Sequence, residues 1–303
     1  MRPKHRLRSR AWVTAPLFAS VTLVISVFAP TATAAPRTDP PPRITIGTQH
    51  LFPDSSKLGD DGFIVNARNL TDPLTATLTR RGETIWTDTL TSASIDNIPV
   101  PASTVRSWKA GRYSLTLTSG DLTKKVTVRV HTRWAPLFSS NGEFTPAGFP
   151  RCSTITWAYS AKKEPQGVRS VVADLKVVFD RYEELTGLSL KKVRRASSAD
   201  IVVNWDDIDY ADGIGGSSWD GRNFTAGSVT LSTSSSWART PGFGYAGRGG
   251  LLFHELGHVF GLGHVRQKET LMHEISYAGS TRDEPGKAEI KGLRYLYRSN
   301  SCN

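Results

Sequence analysis

The feature that most constrains this chain is the segment His254-Glu255-Leu256-Gly257-His258-Val259-Phe260-Gly261-Leu262-Gly263-His264. Residues four apart in a helix lie on one face, one turn apart, so a helix through this segment stacks the imidazoles of His254 and His258. Gly261 supplies the left-handed conformation that ends a helix, after which the chain can double back and bring His264 to the other two. Three protein ligands with a fourth position left open is the arrangement of a catalytic zinc ion; a structural ion takes a closed set of four. Glu255 lies beside the histidines but is turned around the helix, where it can reach a water rather than the ion. Zinc brings the pKa of such a water towards neutrality, and a neighbouring carboxylate takes the proton as the water attacks a carbonyl. A helix with incidental surface histidines leaves the agreement of five fixed positions without a cause. A purely structural metal site has no use for Glu255.

The formal charge of +11 suggests a polyanion partner until its distribution is considered. Residues 1–34 hold Arg2, Lys4, Arg6, Arg8 and Arg10 and no acid, followed by an apolar stretch from Ala11 to Ala29 and small residues at Ala32-Thr33-Ala34. That is the pattern of a cleaved export signal, favoured over an uncleaved anchor because Pro16 and scattered Ser and Thr weaken a membrane span. Its removal leaves 33 basic against 27 acidic residues. The densest basic run, Lys191-Lys192-Val193-Arg194-Arg195, reads as a solvated edge or turn. Nucleic acid is therefore not an expected partner, nor is a membrane once the signal is cut. Two cysteines occur, Cys152 and Cys302, at the two ends of the second half of a chain bound for an oxidising compartment. A disulfide between them is favoured over two free thiols and would close a loop of about 150 residues, for roughly 5 kcal/mol of chain-entropy stabilisation.

Periodicity divides the remainder. Residues 43–131 show short alternating runs at 44–48, 63–68, 75–80, 84–89, 112–118 and 122–130, separated by turn residues. This predicts an all-β, immunoglobulin-like sandwich, and Gly111-Arg112-Tyr113 before a strand resembles a tyrosine corner. His50 and His131 have no ligand-spaced neighbours and are read as structural or solvated. Residues 132–150, with Pro136, Gly142, Pro146, Gly148 and Pro150, read as a linker. Residues 151–303 turn to a mixed pattern. Strands are predicted at 153–160, 200–205 and 228–232, with a Gly- and Asp-rich loop running to about Phe224. One helix carries Val168, Val171, Leu175, Phe179, Tyr182 and Leu185 and stops at Gly187, a second carries the histidines, and a third opens at Pro285.

With those residues in place, the second half resembles the metzincin clan. That clan's signature, His-Glu-x-x-His-x-x-Gly-x-x-His followed by a Met-containing turn, is matched by the histidine segment and by Thr270-Leu271-Met272-His273. The short interval from His264 to Met272 resembles the matrixins, the matrix metalloproteinase family, over roughly residues 152–298. Ile155-Thr156-Trp157 matches the family's first strand and Ala199-Asp200-Ile201 its third. Glu289-Ile290-x-Gly292-x-x-x-Leu296-Tyr297 matches its last helix. The resemblance implies an α+β fold: a zincin catalytic domain, with a twisted β-sheet and three helices, behind the sandwich. It implies that His254, His258 and His264 hold one zinc ion, that Glu255 is the general base and that Met272 forms a hydrophobic floor. It further implies an endopeptidase acting on protein or peptide, which the export signal makes secreted and which is expected to be a monomer.

The match has departures. Glu274 stands where a proline usually follows the Met turn, and Tyr277, a candidate for the substrate pocket, is offset by about a residue. The seven histidines leave none for a second zinc; His273, beside Met272, is expected to point away from the first. Asp206, Asp207, Asp209 and Asp212 are candidate calcium ligands by family likeness, with a solvated acidic loop as the alternative. Pro150-Arg151-Cys152 resembles the family's inhibitory cysteine switch, but its short tether and the presence of Cys302 favour the disulfide. Residues 43–130 contain no cysteine to cap a metal, so an independent binding module is expected rather than an inhibitory propeptide. Residues 151–303 are then expected to act alone. The competing reading is an extracellular adhesion or binding protein whose peptidase-like domain is silent.

Overall fold

The alternation of apolar and small polar residues in segments such as Leu74-Thr-Ala-Thr-Leu-Thr-Arg80 buries every second side chain, the pattern of a strand with one face on a core. The computed structural model describes residues 40–56, 62–137, 147–151, 153–275 and 282–298. Its first part contains β1 (Arg43–Ile46), β2 (His50–Leu51), β3 (Phe63–Arg68), β4 (Leu74–Arg80), β5 (Glu83–Leu90), β6 (Ile95–Ile98), α1 (Ala102–Arg106), β7 (Gly111–Ser119), β8 (Leu122–Val130) and β9 (Ala135–Pro136). A three-stranded sheet has the order β1-β3-β6 and a five-stranded sheet the order β2-β8-β7-β4-β5. Both contribute to one apolar core, through Ile44, Phe63 and Ile98 on one side and Leu78, Leu115 and Val128 on the other. The Tyr113 hydroxyl donates to the Lys109 carbonyl at 2.8 Å, closing the expected corner. β6 was not expected: Ile95-Asp-Asn-Ile98 carries two residues that ordinarily disfavour strands, and only its ends are buried.

The second part adds β10 (Thr154–Tyr159), α2 (Val171–Thr186), β11 (Ser189–Lys192), β12 (Ile201–Asp206), β13 (Gly213–Trp219), β14 (Phe224–Ser232), α3 (Ser236–Arg239), α4 (Arg248–Val259), β15 (Leu262–Gly263) and α5 (Lys287–Arg298). The chain is thus a mixed α/β protein. Its second five-stranded sheet has the order β11-β10-β12-β14-β13, parallel except for β13, which runs antiparallel to β14 at the edge. β13 corrects the expectation of a loop running to Phe224. Its Gly213-Ile-Gly-Gly-Ser sequence has low intrinsic strand preference, but the bare backbone lets α4 pack directly against it. Of the basic run, Lys191 and Lys192 lie on the edge strand β11 and residues 193–195 follow it.

Every residue of α4 is buried, the condition of a helix enclosed on all sides. α2 presents Leu175, Val178, Phe179 and Tyr182 to the same core, with Phe179 stacked on Trp157 at 4.3 Å between centroids and Tyr182 on Phe260 at 4.5 Å. The segment read as a linker is not detached from this core. Trp134, Ala135, Ala147 and Phe149 are buried in it, and so is Phe52 from the first part of the chain. Burial of such aromatic surface outweighs the irregularity that the prolines and glycines suggested. No helix among the described residues is long and apolar enough to cross a membrane.

Candidate metal centre

α4 places His254 and His258 one turn apart, both buried. The helix is capped at Phe260, and Gly261 follows with φ +97°; a Cβ there would lie 2.8 Å from the Ala147 carbonyl oxygen. The reversal leads into β15, which pairs antiparallel with β9 (Leu262 with Pro136, Gly263 with Ala135), and then to His264. The three Nε2 atoms converge: His254 to His258 is 3.2 Å, His254 to His264 is 3.2 Å, and His258 to His264 is 3.0 Å.

Carbonyl partners fix two of the ring tautomers. His254 Nδ1 lies 2.7 Å from the Leu271 oxygen and His258 Nδ1 2.8 Å from the Leu262 oxygen. A carbonyl only accepts, so each Nδ1 carries the proton and each neutral ring turns an Nε2 lone pair towards the other. Two lone pairs 3.2 Å apart repel unless a cation lies between them. About 3.3 Å is the separation of nitrogens around a tetrahedral zinc with bonds of 2.0–2.1 Å. Burial holds the pKa of His254 down to about 4, against the hydrogen bond to Leu271 and with the nearby His264 and His273 reinforcing the fall, so the ring is a neutral donor at ordinary pH. Among the described residues these three histidines are the group able to hold a metal ion, and they fit zinc.

Met272 is buried against the helix that carries His254 and His258. A Cβ on Gly257 would lie 2.6 Å from its Sδ, so the glycine of the His-Glu-Leu-Gly-His run makes room for the methionine. The turn is held from α5: buried Glu289 accepts from Leu271 N–H at 3.0 Å and from Gly286 N–H at 2.9 Å. Leu271 thereby links Glu289 to His254, an outer contact of the kind that orients a metal ligand. In the sequence Glu289 shows only as a match to the family's last helix, and nothing there signals this role.

Glu255 is also buried and lines the same cleft as the histidines, a cavity of about 490 Å³ bounded further by Tyr210, Trp237, Leu251, Glu274 and Ile275. Burial pushes its pKa up to about 8, opposed by a hydrogen bond from the Gly215 N–H and aided by the charge of Asp212. A Cβ on Gly215 would lie 2.0 Å from the Glu255 carbonyl oxygen, and one on Gly213 would lie 3.0 Å from its Cγ. In the sequence these glycines look like loop residues; the signal for their role is a glycine run between two apolar segments.

The four aspartates considered for calcium do not gather into a ligand set among the described residues. Asp206 pairs with Lys163 at 2.6 Å and also accepts from Asp207 N–H, while Asp212 accepts from the Ser235 hydroxyl. His273 bonds locally to Ile275 and is not among the three converging ligand atoms. Cys152, Cys302, Tyr277 and residues 1–34 lie outside the described residues.

The matrixin family model matches residues 149–298. A hatching enzyme from Paracentrotus lividus is 26% identical over 159 residues, covering 50% of this chain and 26% of its own length. A metalloendoproteinase, 2-MMP, from Arabidopsis thaliana is 23% identical over 159 residues, covering 48% of this chain and 41% of its own. The chain therefore spans well under half the length of either relative.

Proposed function

Because the chain belongs, through residues 149–298, to the matrixin family, we propose that it is a secreted zinc-dependent endopeptidase with Glu255 as its general base. The observation that carries this reading is the convergence of three Nε2 atoms, two with fixed tautomers, in the cleft that Glu255 also lines. His254, His258 and His264 would hold the zinc. Zinc, when bound, supplies Lewis acidity that polarises a carbonyl and makes water acidic near neutral pH. Glu255 takes the proton from the attacking water and delivers it to the leaving amine as the peptide bond breaks. A carboxylate in that position can accept a proton and then return it. The Gly215 N–H and the packing of β13 against α4 hold the carboxyl in place, and Met272 backs the ligands.

The same proposal takes residues 43–131 as an immunoglobulin-like sandwich, supported by their two sheets sharing one core and by the Tyr113 corner. It takes residues 1–34 as the export signal and Cys152 as the partner of Cys302.

The test is Glu255→Gln in the full chain. The variant should bind zinc as the wild type does while hydrolysing a protein substrate at least about a hundredfold more slowly, the low end for loss of a general base. A chelator should abolish wild-type hydrolysis, and added zinc should restore it. Near-normal turnover by zinc-loaded Glu255→Gln refutes the mechanism. A wild type without hydrolytic activity supports the silent-domain reading instead.

A further inference from the structure

His254 and His258 are fixed by a buried helix, whereas His264 is carried on a loop whose position rests on whatever holds its backbone. Much of that support comes from outside the matrixin region. On entering the loop, the Gly261 carbonyl accepts from Leu137 N–H at 2.8 Å, and β15 is paired with β9. At the ligand itself, the His264 carbonyl accepts from Ser56 N–H at 3.2 Å. One residue on, Val265 forms a bridge to Ser55 on one side and to His273 on the other; then Arg266 N–H donates to the Asp54 carbonyl at 3.1 Å. The loop is thus the middle line of a small sheet, with the Met-turn side inside the family region and the Asp54–Ser56 side outside it.

That outer side is itself braced. The Asp54 carboxylate accepts from Arg133 N–H at 2.6 Å, and Arg133 holds φ +70°, a left-handed conformation that a non-glycine residue adopts at a cost. The contact joins the 50–56 segment to the 131–137 segment. Both reach the second core: Phe52 packs edge-on against Trp134 with centroids 5.0 Å apart, while the neighbouring Leu51 belongs to the first core. Trp134 occupies space that only a glycine at 292 leaves free, since a Cβ there would lie 2.9 Å from its ring.

We propose that Asp54 and Ser56 are positioning residues for the third metal ligand, so that the segment before the matrixin region completes the metal centre and is neither an inhibitory propeptide nor a detachable module. The inference rests on the zinc reading above. It reverses the expectation that residues 151–303 act alone, because that piece lacks the partners of Gly261, Leu262, Gly263, His264, Val265 and Arg266 supplied by residues 54–56 and 135–137.

The experiment uses the full chain and three variants. Asp54→Ala removes the acceptor for Arg133 N–H, Asp54→Asn keeps an acceptor oxygen, and Ser56→Pro removes the N–H that reaches His264. Zinc affinity is measured by competition with a chromophoric chelator, ligand geometry by the visible spectrum of the cobalt-substituted protein, and folding by melting of the metal-free protein. Asp54→Ala and Ser56→Pro should weaken zinc binding roughly 10- to 100-fold, the usual effect of losing an outer contact to a ligand, and alter the cobalt spectrum. Asp54→Asn should stay near wild type. If Asp54→Ala and Ser56→Pro lower only the melting temperature, with zinc affinity and cobalt spectrum unchanged, the role is merely structural and the proposal is overturned. A wild-type chain that takes up no zinc overturns the underlying reading as well.

Discussion

Arg248 is the first residue of the histidine-bearing helix α4 and its side chain is 0% exposed. A cation at a helix N-terminus opposes the helix dipole, so its burial there must be compensated. Its Nε donates to Asp174 Oδ2 at 2.7 Å, its Nη1 to the Ala238 carbonyl at 3.1 Å, and its Nη2 to the Arg169 carbonyl. Asp174, on α2, also accepts from Gly242 N–H at 3.1 Å. One guanidinium therefore ties together the start of α2, the end of α3 and the start of α4. Arg248→Met keeps much of the stem but leaves the Asp174 carboxylate buried with the Gly242 N–H and strands two carbonyls. Breaking a buried pair in this way costs about 3–5 kcal/mol. At roughly 2–4 °C per kcal/mol for a domain of this size, the melting temperature should fall by about 6–20 °C. By contrast, exposed pairs such as Lys176–Asp180 contribute no more than about 1 kcal/mol. The assay is calorimetric unfolding at fixed zinc and protein concentration, with the double variant Arg248→Met/Asp174→Leu alongside. Replacing both partners removes the uncompensated charge and should recover much of the loss. A single variant costing under about 1 kcal/mol, or a double variant whose cost is the sum of the two singles, refutes this account.

Two adjacent glycines in β13 make a paired test. Gly215→Ala places a Cβ against the Glu255 backbone and should cost about 1–3 kcal/mol, with a fall in kcat; Gly216→Ala meets nothing within 4 Å and should be silent in both unfolding and peptide-cleavage assays. Equal effects at the two positions would contradict the close-packing argument. His131 provides a pH test. Burial, followed by the charges of His50, Lys291 and Arg129, lowers its pKa from 6.5 to about 4 in the folded chain, and burial with Arg129 also lowers that of His50. Between those values the unfolded chain binds more protons, so stability is lost as pH falls from about 6.5 to 4. His131→Gln should melt with a shallower dependence over that window, whatever its offset, and an unchanged slope would exclude His131 as a source of acid sensitivity.

The histidine segment was legible because its chemistry and its local geometry coincide: an i, i+4 pair, a neighbouring carboxyl and a helix-ending glycine lie within one short stretch. The strands at 63–68 and 122–130 were legible because one face of each is apolar. β13 was not, since its residues are chosen for the absence of side chains, which makes a strand and a loop look alike. The linker reading of residues 132–150 failed to anticipate Trp134 and Phe149 because prolines and glycines report local stiffness and say nothing about a distant surface shaped to receive an aromatic ring. The Asp54 and Glu289 contacts were equally invisible. The first joins segments far apart in sequence and the second ties a turn to a helix beyond it, and no periodicity encodes such meetings.

The two sources of support for the three histidines also set an order of assembly. His254 and His258 come together as soon as α4 forms, an event of local contacts on the microsecond scale of helix formation. The place of His264 depends on residues 54–56 and 135–137 arriving from more than a hundred positions upstream. Such closures are slow because the entropy of a long loop must be lost before the contacts form. If the three histidines hold zinc as proposed, a folding chain would have two ligands in place before the third, and a metal ion arriving early would meet an incomplete site. Capture at full affinity would then wait until residues 54–56 and 135–137 had reached the 261–266 loop.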